Sequence, residues 1–349
     1  MLKIRTSMMS PVGIAAVMGM MLLARGAFAQ QQTGNTQAVQ TTVQQATSTV
    51  VQVLTQQIGS AAVAGSGPAN FGGPLVRFQL PGQGETGAAG AAGGKAWNAW
   101  MAFSNNSVAN TFQPTSTDGR VRLWSGGVDH TFQNRVRVGL AVAGDQSDIN
   151  LTGSTFAGGG TLRGRGYTIA PYLGVPLNAN WSFDATVGYG RTKMDLNQGV
   201  SSGSFDSKRT IGAVGLNYSQ ALNRWILGGR MALNAAETRL GSYTQSNNTF
   251  VDGSTLNSAQ ARLGVQAGYA VNANVMPYVG LTYIYDVRRA DQAPVAGQTP
   301  SNDRDAWNAA VGIRFSAANS LYGGIQYSSD RNRSQIKNDQ WLLNLGVRF

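Results

Sequence analysis

His130 is the only histidine among 349 residues, and Asp129 stands beside it. An imidazole next to a carboxylate is the least that general-base catalysis requires. This pair closes an alternating stretch just before the short turn Thr131 to Asn134, so both are expected to be solvated turn residues rather than a catalytic unit. With no cysteine there is no thiol nucleophile, thiolate metal site or disulfide. The 16 carboxylates are scattered without metal-site or EF-hand spacing, so no metal and no cofactor is expected. Gly158-Gly159-Gly160 precedes no helix and makes no phosphate cradle. The chain is expected to be non-enzymatic.

The basic residues are more informative. Lys and Arg total 27 against those 16 acids, giving a formal charge of +11. Arg137, Arg230, Arg262, Arg314 and Arg348 fall on the polar parity of alternating stretches, and Asp145, Asp184 and Asp286 share that parity. Two readings stay open: an ion-pair network inside a barrel that rigidifies the wall and holds an inserted helix, or an anion-preferring pore. No aromatic-basic nucleic-acid signature is present, so no nucleic acid is expected; on a bacterial surface the basic balance suits outer-membrane lipid and lipopolysaccharide.

The elements that must position these groups begin at the carboxyl end. Trp341, Leu343, Leu345, Val347 and the terminal Phe349 fall on one parity, with Gln340, Asn344, Gly346 and Arg348 on the other, as in a strand with one oily and one polar face. At the amino end, Lys3 and Arg5 precede an apolar run from Val12 to Leu23, and Ala27-Phe28-Ala29 offers a small-x-small cleavage site. Residues 1–29 therefore read as a secretory signal peptide. Its removal takes Lys3, Arg5 and Arg25, lowering the formal charge from +11 to +8.

Gln30 to Val76 carries no charge. Val39, Val43, Ala46, Val50, Leu54 and Ile58 recur at three- and four-residue steps until Gly59, which predicts a helix over Ala38 to Ile58. It is either a helix threaded through a barrel, its Gln/Thr surface hydrogen-bonding the lumen, or a polar spacer. Glycine and proline punctuate residues 59–96, which read as a linker.

From Trp97 the alternation is continuous. Twelve strands are expected near 97–105, 119–130, 135–145, 162–174, 181–192, 206–219, 224–236, 256–270, 275–287, 305–315, 321–329 and 338–349. Short turns such as Pro176 to Asn180 and Gln220 to Asn223 alternate with longer polar loops near 106–118, 146–161, 193–205, 237–255, 288–304 and 330–337. Outer-membrane barrels sort their connections this way, short on the periplasmic side and long outside. Trp181, Tyr218, Trp225 and Tyr322 flank short turns, where one interfacial aromatic girdle would lie. The fold class is therefore all-β: a twelve-stranded antiparallel transmembrane β-barrel with an N-terminal helix inside the pore.

Particular stretches carry a family resemblance: Gly166-Tyr167-Thr168-Ile169-Ala170-Pro171-Tyr172-Leu173, Asp184-Ala185-Thr186-Val187-Gly188-Tyr189, Ala259-Gln260-Ala261-Arg262-Leu263-Gly264, and Pro277-Tyr278-Val279-Gly280-Leu281-Thr282-Tyr283. Over roughly 97–349 the chain resembles the autotransporter β-domain. The resemblance implies a twelve-stranded barrel with a helix in its pore, type V secretion, insertion in the Gram-negative outer membrane, and periplasmic chaperones and the barrel assembly machinery as partners. It also implies that Trp341, Leu343, Leu345, Val347 and Phe349 form the assembly signal. Relatives carry a passenger before the helix, whereas only Gln30 to Gln37 lie between the expected cleavage site and this helix, so little or no passenger is expected. Some relatives cleave at an Asn in the pore helix; Ala38 to Ile58 contains none, with Asn35 preceding it, so no such cleavage is expected. The function expected is translocator and anchor, with a narrow solute channel or a surface adhesin acting through its loops as alternatives.

Overall fold

Every long alternating stretch pairs antiparallel with its neighbour. In the computed structural model the strands are β1 (Trp97–Asn110), β2 (Thr117–Phe132), β3 (Val136–Leu151), β4 (Gly160–Pro176), β5 (Trp181–Asn197), β6 (Ser202–Leu222), β7 (Trp225–Leu240), β8 (Tyr243–Thr244), β9 (Phe250–Val251), β10 (Ser254–Tyr269), β11 (Val275–Arg288), β12 (Asp305–Ala317), β13 (Leu321–Arg331) and β14 (Ile336–Arg348), preceded by a helix, α1 (Gly26–Ala62). Residues 26–62 and 96–349 are described, except 133–135, 155, 157–158, 200, 290–293, 296, 318–320 and the side chains of 26–35. The expected signal peptide up to Arg25 and nearly all of the expected linker lie outside them.

Twelve strands close into a barrel, and β8 with β9 forms a separate small hairpin in the β7–β10 connection. Closure pairs β1 with β14, from Asn98 opposite Arg348 to Asn110 opposite Ile336. Trp97 and Phe349 finish the seam by exchanging both backbone hydrogen bonds, at 3.2 and 3.0 Å. Closure leaves no free edge, the condition for strands to lie in lipid.

The faces are inverted relative to a soluble protein. Met101, Trp124, Val187, Leu263 and Val265 point outward, 56–63% exposed, while Asn98, Ser104, Asn106, Thr168 and Asp184 point inward and are at most 2% exposed. An apolar exterior around a largely polar interior suits a hydrocarbon surround. Aromatic pairs mark both rims of this band. Trp181–Tyr218 and Trp225–Tyr269 (centroids 5.0 and 5.1 Å) lie at the short-turn end, and Tyr283–Trp307 and Tyr327–Trp341 (both 5.0 Å) nearer the other. From Trp341 to Phe349 the strand rises about 27 Å at ~3.4 Å per residue. Tilted as barrel strands are, that spans most of an apolar band about 25 Å tall.

Three expectations need correction. Tyr322 is not in the girdle; it is buried in the lumen and hydrogen-bonds Asn98 Oδ1. Several strands run further than expected at the long-loop end, so the loop expected at 193–205 shrinks to 198–201. There outward positions become polar, and the alternation fades although the ladder continues. Within the described residues the helix spans Gly26–Ala62, so it contains the expected cleavage site and Asn35. The absence of Asn that argued against self-cleavage therefore applies only to 38–58.

Candidate functional site: the occupied lumen

Threonine, valine and glutamine are indifferent helix formers, so a helix made of them depends on its surroundings. α1 threads the barrel. Four of its hydroxyls are satisfied internally: Thr42 donates to the Ala38 carbonyl (2.7 Å), Thr49 to Gln45 (3.0 Å), Thr55 to Val51 (2.7 Å) and Ser60 to Gln57 (2.8 Å). This back-bonding leaves a helix that needs few polar partners on the wall. That differs from the expectation that Gln and Thr would bond to lumen side chains.

The apolar side of the helix is held instead by two inward apolar collars. Val50, Leu54, Ile58 and Ala61 pack with Leu123, Ala141, Ala143, Ala170 and Tyr172 in the lower collar. Ala38, Val39 and Val43 pack with Leu151, Leu162, Met194, Leu196 and Leu240, toward the long-loop ends of the strands. Each fully buried Val, Leu or Ile contributes about 1.5–3 kcal/mol. The amino-terminal end of α1 thus faces the long loops and its carboxyl end the short turns.

That carboxyl end is anchored. Arg137 Nη1 donates to the Ala61 carbonyl at 2.7 Å, meeting one of the acceptors every helix leaves open at its last turn. The wall approaches so closely that a Cβ on Gly174 would lie 1.8 Å from the Ala62 carbonyl oxygen, and one on Gly59 would lie 2.5 Å from Arg230 Nη2. Arg137 Nε donates to Thr131 Oγ1 and also lies 3.2 Å from Asp129 Oδ1, an ion pair without hydrogen-bond geometry. Asp129 is fixed through its other oxygen by Asn98 (2.9 Å) and Tyr172 (2.7 Å), and Tyr172 accepts from Trp100 Nε1 (2.9 Å).

Asp129 is therefore no solvated turn residue: it is 1% exposed and central to the basal network. Its carboxylate can be buried because a cation and two donors surround it. His130 also departs from expectation. It points the other way, with its ring edge-on to Trp97 (4.7 Å) and Phe132 (4.5 Å) in the girdle. The two neighbours lie on opposite faces of the strand and cannot act together.

The other arginines occupy distinct settings. Arg230 holds Asp184 with both terminal nitrogens (2.7 and 3.0 Å), and Asn217 bridges them. Arg314, 2% exposed, has no carboxylate partner among the described residues; it donates to Gln266 (2.9 Å) and lies 4.2 Å from the Tyr278 ring centroid. Arg348 lies 5.5 Å from the Tyr322 ring centroid. Arg262 lies on the wall of a cavity. Asp145 pairs with Arg209, and Asp286 with Arg333 (2.9 Å) and Arg289 (3.5 Å). Arg209, Arg289 and Arg333 were not anticipated. Trp341, Leu343, Val347 and Phe349 point outward from β14, with Leu345 half-buried on the same side.

The helix does not fill the lumen evenly. A cavity of about 70 Å³ separates Gln52, Thr55 and Gln56 from β10–β13, with Arg230 and Arg262 on its wall. A second of about 60 Å³ continues past Gln44, Gln45 and Thr49 to Asp286, Arg289 and Arg333. Each has room for a few waters, which suits the glutamine side of α1.

These features meet known proteins at the level of fold and family. The barrel resembles the translocator domain of the autotransporter NalP from Neisseria meningitidis (11% identity, 74% of this chain and 90% of that chain, TM-score 0.63). It also resembles the transport unit of AIDA-I from Escherichia coli (13%, 84% and 99%, TM-score 0.62) and the β-domain of the Bordetella autotransporter BrkA (16%, 73% and 99%, TM-score 0.59). No curated protein sequence matches the chain significantly. A sequence profile described as the autotransporter beta-domain matches residues 94–328, which run from just before β1 into β13. The chain belongs to the autotransporter β-domain family, the outer-membrane translocator barrels of type V secretion.

Proposed function

We propose that this barrel is a non-enzymatic anchor whose threaded helix, once in place, closes the translocation path and presents its amino-terminal side at the cell surface. The observation that carries the reading is the Arg137–Ala61 hydrogen bond at the short-turn end, with the opposite end of α1 among the long-loop ends of the strands. An uncharged helix with four hydroxyls satisfied internally suits a segment that must slide through a barrel and then stop. The signal peptide over residues 1–29, and recognition of β14 by periplasmic chaperones and the barrel assembly machinery, belong to the same proposal. An epitope inserted after Ala29 should bind antibody on intact cells; binding only after outer-membrane permeabilisation would refute the orientation.

A second reading, a narrow anion-preferring channel, is favoured by one observation: the two cavities run along one side of α1 and are lined by Arg230, Arg262 and Arg333. Conductance separates the readings, since a plug leaves little current and a channel does not.

A further inference from the structure

Outside the lumen, one arc of the wall carries an arrangement that a folded barrel would not adopt for its own stability. Arg165 on β4 lies directly opposite Lys193 on β5. Arg191 on β5 lies opposite Lys208 on β6, and Lys208 opposite Arg239 on β7. Arg122 on β2 is aligned with Arg165 through Gln146 on β3. All six side chains point outward and are exposed. Like charges directly opposite one another across strands are destabilising, and here three such pairs adjoin. Compensation within the patch is partial: Asp206 faces Lys193, and Glu237 accepts from Arg239 at 2.7 Å. On the far arc Arg331 lies 3.6 Å from Asp339.

The position of this patch identifies its counter-charge. Immediately below it are the outward aromatics Trp124, Tyr167 and Tyr189, and below these the apolar Val142, Ile169 and Val187. The cations therefore lie just outside the apolar band at the long-loop end, at headgroup level in the outer leaflet. A ligand filling the surface needs several closely spaced anionic groups above and acyl chains beneath.

We propose that the outward face of β2–β7 binds an acylated, phosphorylated glycolipid of the outer leaflet, its phosphates held by Arg165, Lys193, Arg191 and Lys208 and its acyl chains lying on Val142, Ile169 and Val187. Arginine and lysine both bind phosphate strongly, and adjacent cations become favourable once an anion bridges them. The inference rests on membrane insertion alone and is independent of whether the helix plugs the pore.

The test measures binding of diphosphoryl lipid A to the folded full-length protein in detergent. Its comparisons are the same acylated disaccharide without phosphate, and phosphatidylglycerol. Wild type should prefer diphosphoryl lipid A to both by about tenfold or more. The variant R165Q/K193Q/R191Q/K208Q should lose that preference, while R331Q/K337Q on the far arc should stay within about twofold of wild type. If the quadruple variant does not fold, R191Q/K208Q should still weaken binding at least about threefold. Undiminished binding by a folded variant, equal binding of the phosphate-free glycolipid, or equal binding of phosphatidylglycerol would each overturn the proposal.

Discussion

Arg137 donates a hydrogen bond to the carbonyl oxygen of Ala61, joining the barrel wall to the last turn of a helix 76 positions earlier in the chain. A charged donor to a buried acceptor is worth about 1.5–3 kcal/mol. Replacing Arg137 by Gln should therefore raise the population with a displaced helix end by roughly ten- to a hundredfold. The check is the frequency of brief openings in bilayer recordings, with Gly174→Val expected to act in the same direction by pushing on Ala62. Recordings of both variants indistinguishable from wild type would show that this contact does not hold the helix.

Asp184 and Arg230 test the wall itself. Substituting Asn for Asp184 removes the charge that two arginine nitrogens grip and leaves a partly buried guanidinium without its anion. The cost expected is about 3–5 kcal/mol. It should appear as a lower temperature for the gel-mobility shift between folded and boiled forms, with the far-ultraviolet spectrum still β-rich. An unchanged transition temperature would place the pair's energy elsewhere.

Phe349 closes the seam with Trp97 through two backbone hydrogen bonds while its ring points outward, 58% exposed. Deleting it removes those bonds and the terminal residue of the proposed assembly signal but opens no cavity in the lumen. Outer-membrane abundance should fall several-fold, as read by blotting of membrane fractions. A protein that inserts normally without Phe349 would exclude β14 as the signal.

Asp303, in the connection between β11 and β12, accepts hydrogen bonds from the Ser334 backbone N–H (3.0 Å) and hydroxyl (2.6 Å), joining two outer loops. These donors, first the Ser334 hydroxyl and then a side-chain hydrogen bond from Ser301 and the Ser334 N–H, pull its carboxyl down to about 2. A carboxyl lowered on folding stabilises the docked form above its unfolded value, near 3.9, and loses that contribution as pH falls toward about 2. Proteolytic nicking at 301–334 should therefore be flat from pH 7 to about 4.5 and rise below. The variant D303N should nick faster at neutral pH and lose the dependence; an unchanged profile in D303N would assign the pH response to another group.

The barrel was legible because lipid on one side and lumen on the other impose a strict period of two, and β5, β7, β10 and β14 display it openly. Register and seam were not, since Trp97 and Phe349 are at opposite ends of the domain and nothing local links them. The lumen pairs were harder still. Asp145 and Arg209 lie on β3 and β6, and their side chains meet only because Gly166 and Gly190 on the strands between leave room. Parity placed the arginines inside but could not choose their partners. The burial of Asp129 is not legible because its sequence position is beside a turn, whereas β2 continues past it to Phe132. Of the helix, the apolar period marked the side that packs against the collars. Its extent beyond Ala38 was not legible, because Gln and Thr neither form nor break helices strongly.

Whether α1 closes the barrel is measured directly by the single-channel conductance of the full chain against a variant lacking residues 30–58. A twelve-stranded barrel is wider than one filled by its own side chains, and a helix about 10 Å across occupies the difference. The deletion should insert as a heat-modifiable barrel with conductance raised several-fold and a preference for anions, because Arg230, Arg262 and Arg314 would then face open water. Equal conductance with and without the segment would contradict the plug, and a large equal conductance would establish the channel in its place.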